Sequence, residues 1–422
     1  MKKKIISMVL ATGMALGLSV YGYADDAENV TLNFFNGNVE MVDWYEEAVE
    51  RFNAEHENIT VVHEYNKEGT EALRIKFASG DVPDITNVGT QAMIDDGKFV
   101  DLTDAEWWSR INPGTKDVAM DIKSGKNYYI PTNSMYTAVI YNRDIFNELN
   151  LEQAATWEEF MNNLRAIKNA YPDIDPLYFG TKDAWTVGML FGYIPGAEQR
   201  QLVGERAYCT ACLEGDMDTL KFGEEGGAFE KYAQGILDLQ AENLINSNAL
   251  TATYSDTINA IANGQAAMIC QGMFAISDIL SENPDAANTL GVMAFPAMSE
   301  EVAPAMNQSL DSTYYIAADT ENYDACVTFL DWLFETENLE DYSAKRGAPS
   351  VFNDVDVDLN PIFLSATESA KKCAVIGGSI EPTGFGGDQT GLLVQELLAG
   401  KYTADELAKE FETQWKAAFD AQ

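Results

Sequence analysis

His56 and His63 are the only imidazoles in the chain, and both fall in one helix-to-strand passage, AEHENITVVHEY. No Gly-x-Ser-x-Gly elbow occurs to accompany either ring, so nucleophilic catalysis has no constellation to work with; a surface and a strand position account for both. The 67 acidic residues guarantee that some carboxylates sit at glycosidase spacing in any fold, so such a pair is uninformative alone. An exported glycoside hydrolase would need one carboxyl with a raised pKa inside a sugar cleft, and it stands as the enzyme-class alternative. Cys209-Thr-Ala-Cys212 has the spacing of half a zinc site, but no second Cys-x-x-Cys completes it; a local disulfide or two ordinary thiols are the readings left. Neither a metal nor a cofactor is expected. The glycine-rich run GGSIEPTGFGGDQTG (377–391) lacks the Gly-Lys-Ser/Thr ending of a phosphate cradle and reads as a flexible loop.

The chain opens with Lys2, Lys3 and Lys4, an apolar stretch from Ile5 to Val20, and small residues at Gly22-Tyr23-Ala24, the pattern of a secretory signal peptide over residues 1–24. The apolar run is shorter than the roughly 20 residues of a spanning helix, and no later segment is apolar enough to cross a bilayer. No cysteine lies near the expected cleavage point, so a lipid-modified cysteine is not available as a tether; a periplasmic or cell-surface location is expected. The formal charge of −40 repels phosphate backbones and anionic lipid, which makes nucleic acid and anionic membrane poor partners. Five cysteines are too few and too scattered for a disulfide-stapled scaffold, so stability must come from ordinary cores.

The elements that must position any site follow from periodicity. Val30, Leu32 and Phe34 alternate as a strand, Asn36-Gly37-Asn38 is a turn, Val42, Tyr45, Val49 and Phe52 recur at helical spacing, and Ile59 to Tyr65 is rich in β-branched residues. A second helix carries Leu73 and Phe77 and stops at Gly80. Strands are expected at Ala138–Tyr141, Ala266–Cys270 and Gly291–Phe295. Thr156-Trp157-Glu158-Glu159 and Thr403-Ala404-Asp405-Glu406 are capping boxes that open helices. Such alternation predicts an α/β protein of two domains with a mainly parallel sheet. Ligands of such sheets bind beyond the carboxyl ends of strands, which selects the loops Asn36–Glu40 and Asn87–Gln91 and the segment after Cys270. Aromatic rings and amides interleaved there suit a pyranose, whose C–H face stacks on a ring while its hydroxyls pair with amides and carboxylates.

Several segments, in order, resemble the extracellular solute-binding proteins of carbohydrate ABC transporters, the family that includes the maltose-binding type. They are FASGDVPDI (77–85), YYIPTNSMYTAVIYNRDIFNELNL (128–151) with TWEEFMNNLRAIK after it, NGQAAMICQGMFA (263–275) with LGVMAFP after it, FLDWLFETENLEDYSAKRGAPS (329–350) and ELLAGKYTADELAKEFETQW (396–415). The resemblance implies a type II periplasmic-binding fold: two discontinuous α/β lobes, joined by crossing strands and hinging shut on ligand, with no catalysis. It places lobe one at 25–135 and 297–340, and lobe two at 136–296 and 341–422. It implies Asn36, Asn38 and Glu40 as polar contacts in the first loop, Asn87 after the Pro-Asp strand, Tyr136 in the crossing segment and Trp185 in mid-chain. Phe274 stands where the family usually has Trp, which weakens stacking or shifts the platform to Met273. Asp311 and Arg346 complete the set. The implied partners are a small carbohydrate and a membrane permease, with the protein a monomer; a peptide or polyamine ligand is the main competitor within the same fold.

Overall fold

The computed structural model describes residues 29–38, 41–111, 113–378, 380–382 and 385–421. The expected leader and Glu40 lie outside the described residues.

Strand β1 (Val30–Asn36) leads into a helix, Val42–Glu55, and back into β2 (Ile59–Tyr65), which pairs with β1 in parallel from Val30↔Ile59 to Asn36↔Tyr65. Helix Gly69–Ser79 then ends at Gly80, whose φ of 80° is a left-handed cap that glycine adopts without penalty. The chain returns as the short β3 (Ile85–Thr86), parallel to β1 on its other side. The expected strand–helix–strand grammar is therefore present at the amino-terminal end.

Two long strands connect this unit to the rest. β4 (Ile130–Asn142) and β7 (Ala305–Ile316) run antiparallel, paired from Ile130↔Tyr314 to Thr137↔Asn307. The end of β7 joins β3, while the far half of β4 pairs antiparallel with β5 (Met268–Gly272) and β6 (Leu290–Met293). β8 (Ala374–Gly377) lies parallel to the start of β7. The eight strands thus form one sheet, six of them in the order β2-β1-β3-β7-β4-β5, with β6 on β4 and β8 on β7. The sheet is mixed, which corrects the expectation of a mainly parallel one: the parallel units at each end are stitched together by strands running back and forth, and these pair antiparallel.

β4 is much longer than the Ala138–Tyr141 strand the sequence predicts. Its first half, IPTNSMY, is polar and reads as loop, yet Thr132, Asn133 and Ser134 are buried. The Asn133 amide donates to Ser343 Oγ at 2.8 Å and to the Ala348 carbonyl at 3.0 Å, so burial leaves no donor stranded.

Three cores result. One gathers Leu32, Phe34, Tyr45 and Phe52 with Tyr314, Phe329 and Phe334. A second surrounds Phe160, Phe191, Phe229, Phe411 and Trp415, and a third packs Ile140, Ile269, Ile276 and Val292 against Ile362 and Phe363. Tyr342, Val351 and Phe352 sit in the first core, and Met306 in the third. Both expected capping boxes form: Glu159 N–H donates to Thr156 Oγ1 at 3.3 Å and Glu406 N–H to Thr403 Oγ1 at 3.3 Å, each carboxylate accepting the N–H of its cap residue in return. The glycine-rich run is not merely loop. Its second half opens helix Gly387–Leu398, which packs on helix Trp185–Val203 so closely that a Cβ on Gly391 would lie 1.8 Å from the Ala184 carbonyl.

Candidate functional site: a polar pocket and an aromatic wall

At the carboxyl end of β1, the Asn36 side chain is fully buried. Its Oδ1 accepts the Asn38 N–H at 2.7 Å and the Asn87 amide at 2.7 Å, while Asn87 Oδ1 accepts the Gly37 N–H at 2.9 Å. Asn36 therefore fixes the turn and orients Asn87 from beneath. Asn38 and Asn87 line a pocket of about 340 Å3 together with Val88, Gly89, Asp311 and Arg346. Four of the residues selected from the sequence meet here although more than 300 positions separate the first from the last. Arg346 donates from Nε to Asp311 Oδ2 at 2.8 Å, and both side chains keep about a quarter of their surface exposed. The pair presents a fixed cation and a fixed carboxylate to the pocket, a donor and acceptor set suited to vicinal hydroxyls.

Beside Asp311, Ser312 takes a left-handed φ of 53° within β7, a conformation costing a non-glycine residue roughly 1–2 kcal/mol. A hydroxyl network holds it there: Ser312 Oγ and the Tyr342 hydroxyl are 2.7 Å apart, the Tyr45 hydroxyl donates to Tyr342 at 3.2 Å, and Tyr45 and Tyr314 share a bond of 2.7 Å. Burial pushes the phenols of Tyr45, Tyr314 and Tyr342 well above their ordinary value. The network stays neutral and holds the floor of the pocket in shape. His63 belongs to the same neighbourhood, stacked on Phe34 with ring centroids 5.6 Å apart; burial lowers its pKa, and its Nε2 is buried with no hydrogen-bond partner.

The second group lies farther along the crossing strands. Trp185 opens its helix 5.2 Å from the Tyr254 ring and 6.0 Å from Phe274, and Tyr254 and Phe274 are 6.5 Å apart. Phe274 is 44% exposed, so this wall faces outward. Its ring lies over Gly272: a Cβ there would sit 2.1 Å from a ring carbon. Met273 is fully buried in the third core, which corrects the second of the two expectations, a shift of the platform to Met273, since in this turn it is the phenylalanine that points outward. Tyr254 went unnoticed in the sequence. It is the first residue of helix Tyr254–Ala262, behind a Thr253 capping box, and its hydroxyl donates to Asp278 Oδ2 at 2.8 Å. Burial and that carboxylate push its phenol upward. The signal available was an aromatic directly after an N-cap threonine.

Tyr136 is placed between the two groups, paired with Gln308 on β7. Its carbonyl accepts the Met273 N–H at 2.8 Å and so anchors the turn that carries Phe274. Burial raises its phenol pKa, and the side chain packs on the third core. Asp311 and Asn307, which faces Thr137 and through it Gly272, are four residues apart on β7, about 13 Å at the usual rise of a strand. That spacing is the size of a gap for two or three sugar rings. All five cysteines are thiols; burial lifts Cys209 and Cys212 to about 12. Among the described residues no group of three or more His, Cys, Asp or Glu could hold a metal ion, and no helix is long and apolar enough to cross a membrane.

Comparison with known proteins gives the same frame. The melibiose/raffinose/stachyose-binding protein MelE of Bacillus subtilis is 24% identical over 323 residues, covering 75% of this chain and 72% of MelE. The multiple sugar-binding protein of Streptococcus mutans is 24% identical over 357 residues, covering 81% and 80%. A binding protein from Bacillus subtilis, MsmE, solved in an open conformation, superposes with a TM-score of 0.76 at 21% identity, covering 94% of this chain and 99% of that one. The family model for the bacterial extracellular solute-binding protein matches residues 38–340, most of the chain, and the chain belongs to that family.

Proposed function

We propose that this protein captures an oligosaccharide between two lobes and delivers it to the permease of an ABC transporter without altering it. The observation that carries the reading is the aromatic wall of Trp185, Tyr254 and Phe274 set about 13 Å along the crossing strands from the polar pocket of Asn38, Asn87, Asp311 and Arg346. Sugar recognition needs both kinds of surface, and here they stand on different parts of the sheet, the pocket beyond β1 and the wall beyond β5. The names of MelE and of the multiple sugar-binding protein support the substrate class.

Lobe one comprises residues 29–135 with the end of β7 and the chain as far as about residue 352; lobe two comprises the remainder. The core memberships of Tyr342, Phe352 and Met306 support these bounds. The proposed second return therefore lies beyond Phe352 rather than at residue 340. In the mechanism, Asn38, Asn87, Asp311 and Arg346 bind hydroxyls of one end of the sugar, Asn36 positions them, and Trp185 and Phe274 stack on its C–H faces. Tyr136 lies in the floor, and Glu40 belongs to the first loop. Closure is favoured by ligand because only the closed form lets both surfaces contact it, and the closed shape is what the permease reads. The protein works outside the cytoplasm, as a monomer.

Titration calorimetry against raffinose, stachyose, melibiose, a polyamine and a short peptide tests this, with the sugar recovered and analysed by mass. Saturable binding of a saccharide returned intact is the expected result. Binding only of spermidine or peptide would overturn the substrate class, and a cleaved sugar would overturn the non-catalytic assignment.

A further inference from the structure

A cavity of about 520 Å3 opens away from the cleft, where β4 and β6 end and the chain approaches β7 and β8. Tyr141, one of its walls, is four residues beyond Thr137 on β4, about 13 Å past the aromatic wall. The cavity reverses the charge balance of the molecule. The chain carries 27 basic residues against 67 acidic ones, whereas the cavity is lined by two cations, Arg143 and Lys372, and one acid, Glu152.

Arg143 lies against β6 because Gly291 leaves room for its stem: a Cβ there would be 3.0 Å from Arg143 Cγ. Its Nη2 donates to the Asn288 carbonyl at 2.8 Å, but its Nε is buried and has no partner. A guanidinium N–H can only donate and cannot lose its proton in a protein, so Arg143 keeps its positive charge at the cavity wall. Lys372 forms no ion pair among the described residues, its neighbour Lys371 having taken Glu368 at 2.6 Å. Gln153 spends its Nε2 on the Tyr141 hydroxyl at 3.2 Å, which leaves its carbonyl oxygen for a ligand hydroxyl.

We infer that this cavity is a second ligand site, separate from the cleft, for a small organic anion bearing a carboxylate or phosphate group. Arg143 and Lys372 hold the anionic end, and Gln153 accepts from a hydroxyl. The volume exceeds what a bare oxyanion fills, and Gln153 adds a neutral acceptor to the wall, so a hydroxylated acid or a sugar phosphate fits better than inorganic phosphate alone.

The test uses the whole exported protein with glucuronate, glucose 6-phosphate and inorganic phosphate. Melting point and affinity are read for each, together with alkylation of Cys373, which lines the cavity and is the one partly exposed cysteine among those described. The expected result is a raised melting point with at least one organic anion, slower alkylation of Cys373, and weakening by added salt. Lys372→Gln should weaken binding about fivefold and Arg143→Met more, while oligosaccharide affinity at the cleft stays unchanged with Lys372→Gln. If Arg143→Met does not fold, Lys372→Gln carries the test, its side chain being exposed and unpaired. A response to inorganic phosphate equal to that of the organic anions would overturn the ligand class. No shift with any of the three anions, or a shift that survives Lys372→Gln undiminished, would overturn the site.

Discussion

Removing the indole of Trp185 or the ring of Phe274 takes away a stacking surface and little else, because both rings lie toward the outside of their lobe. Trp185→Ala and Phe274→Ala should each weaken oligosaccharide binding by about tenfold, measured by calorimetry, with the melting point nearly unchanged; unaltered affinity in both would remove the aromatic wall from the site. His63 supports a prediction of another kind. Burial lowers its folded pKa below the usual value, so the unfolded chain takes up the proton first, and stability falls as pH drops from about 6.5 toward the folded pKa. His63→Phe should lose less melting temperature than the wild type between pH 7 and pH 5; an equal loss would assign the acid sensitivity to carboxylates instead. The residues themselves were partly legible. Asn38, Asn87, Asp311 and Arg346, each singled out from a separate motif, line one pocket, because short motifs keep their place in a fold. Tyr254 was not legible, since nothing in the local sequence says that the start of its helix faces Trp185. That Asn36 is wholly buried was equally invisible, because an asparagine in a turn reads the same whether its amide faces a ligand or its neighbours.

The helices with strong signals at their ends formed as read: Thr156 and Thr403 cap as expected, since a capping box depends only on residues three positions apart. The crossing strands were harder, because the Asn133 amide is satisfied by Ser343 and Ala348, far away in sequence, and local polarity cannot reveal a distant partner. Glycines misled in the opposite direction. At Gly391 and Gly188 the missing side chain is a packing requirement: a Cβ on Gly188 would lie 1.7 Å from the Gly387 carbonyl. Gly391→Ala should therefore push the Gly387–Leu398 helix off the helix that begins at Trp185, costing about 1–3 kcal/mol and several degrees of melting temperature, and should weaken sugar binding through displacement of Trp185. A variant as stable as the wild type would show that the two helices can separate freely.

On the proposed function, the polar pocket and the aromatic wall approach one another when sugar binds. Small-angle scattering of the free and sugar-saturated protein should show a smaller radius of gyration with sugar, and no change would mean that the ligand is held by one lobe alone. β4 and β7 also fix the order in which the protein can be assembled. Ile130 and Tyr314 are paired and share the first core, yet a ribosome adding about 5–20 residues per second needs roughly 10–40 s to pass from one to the other. For that interval the amino-terminal unit lacks its closing strand and the aromatic residues that complete its interior. A nascent chain that cannot finish its first core stays loosely structured and threadable, so the same discontinuity that brings β7 back to the amino-terminal unit keeps the unfinished protein fit for secretion.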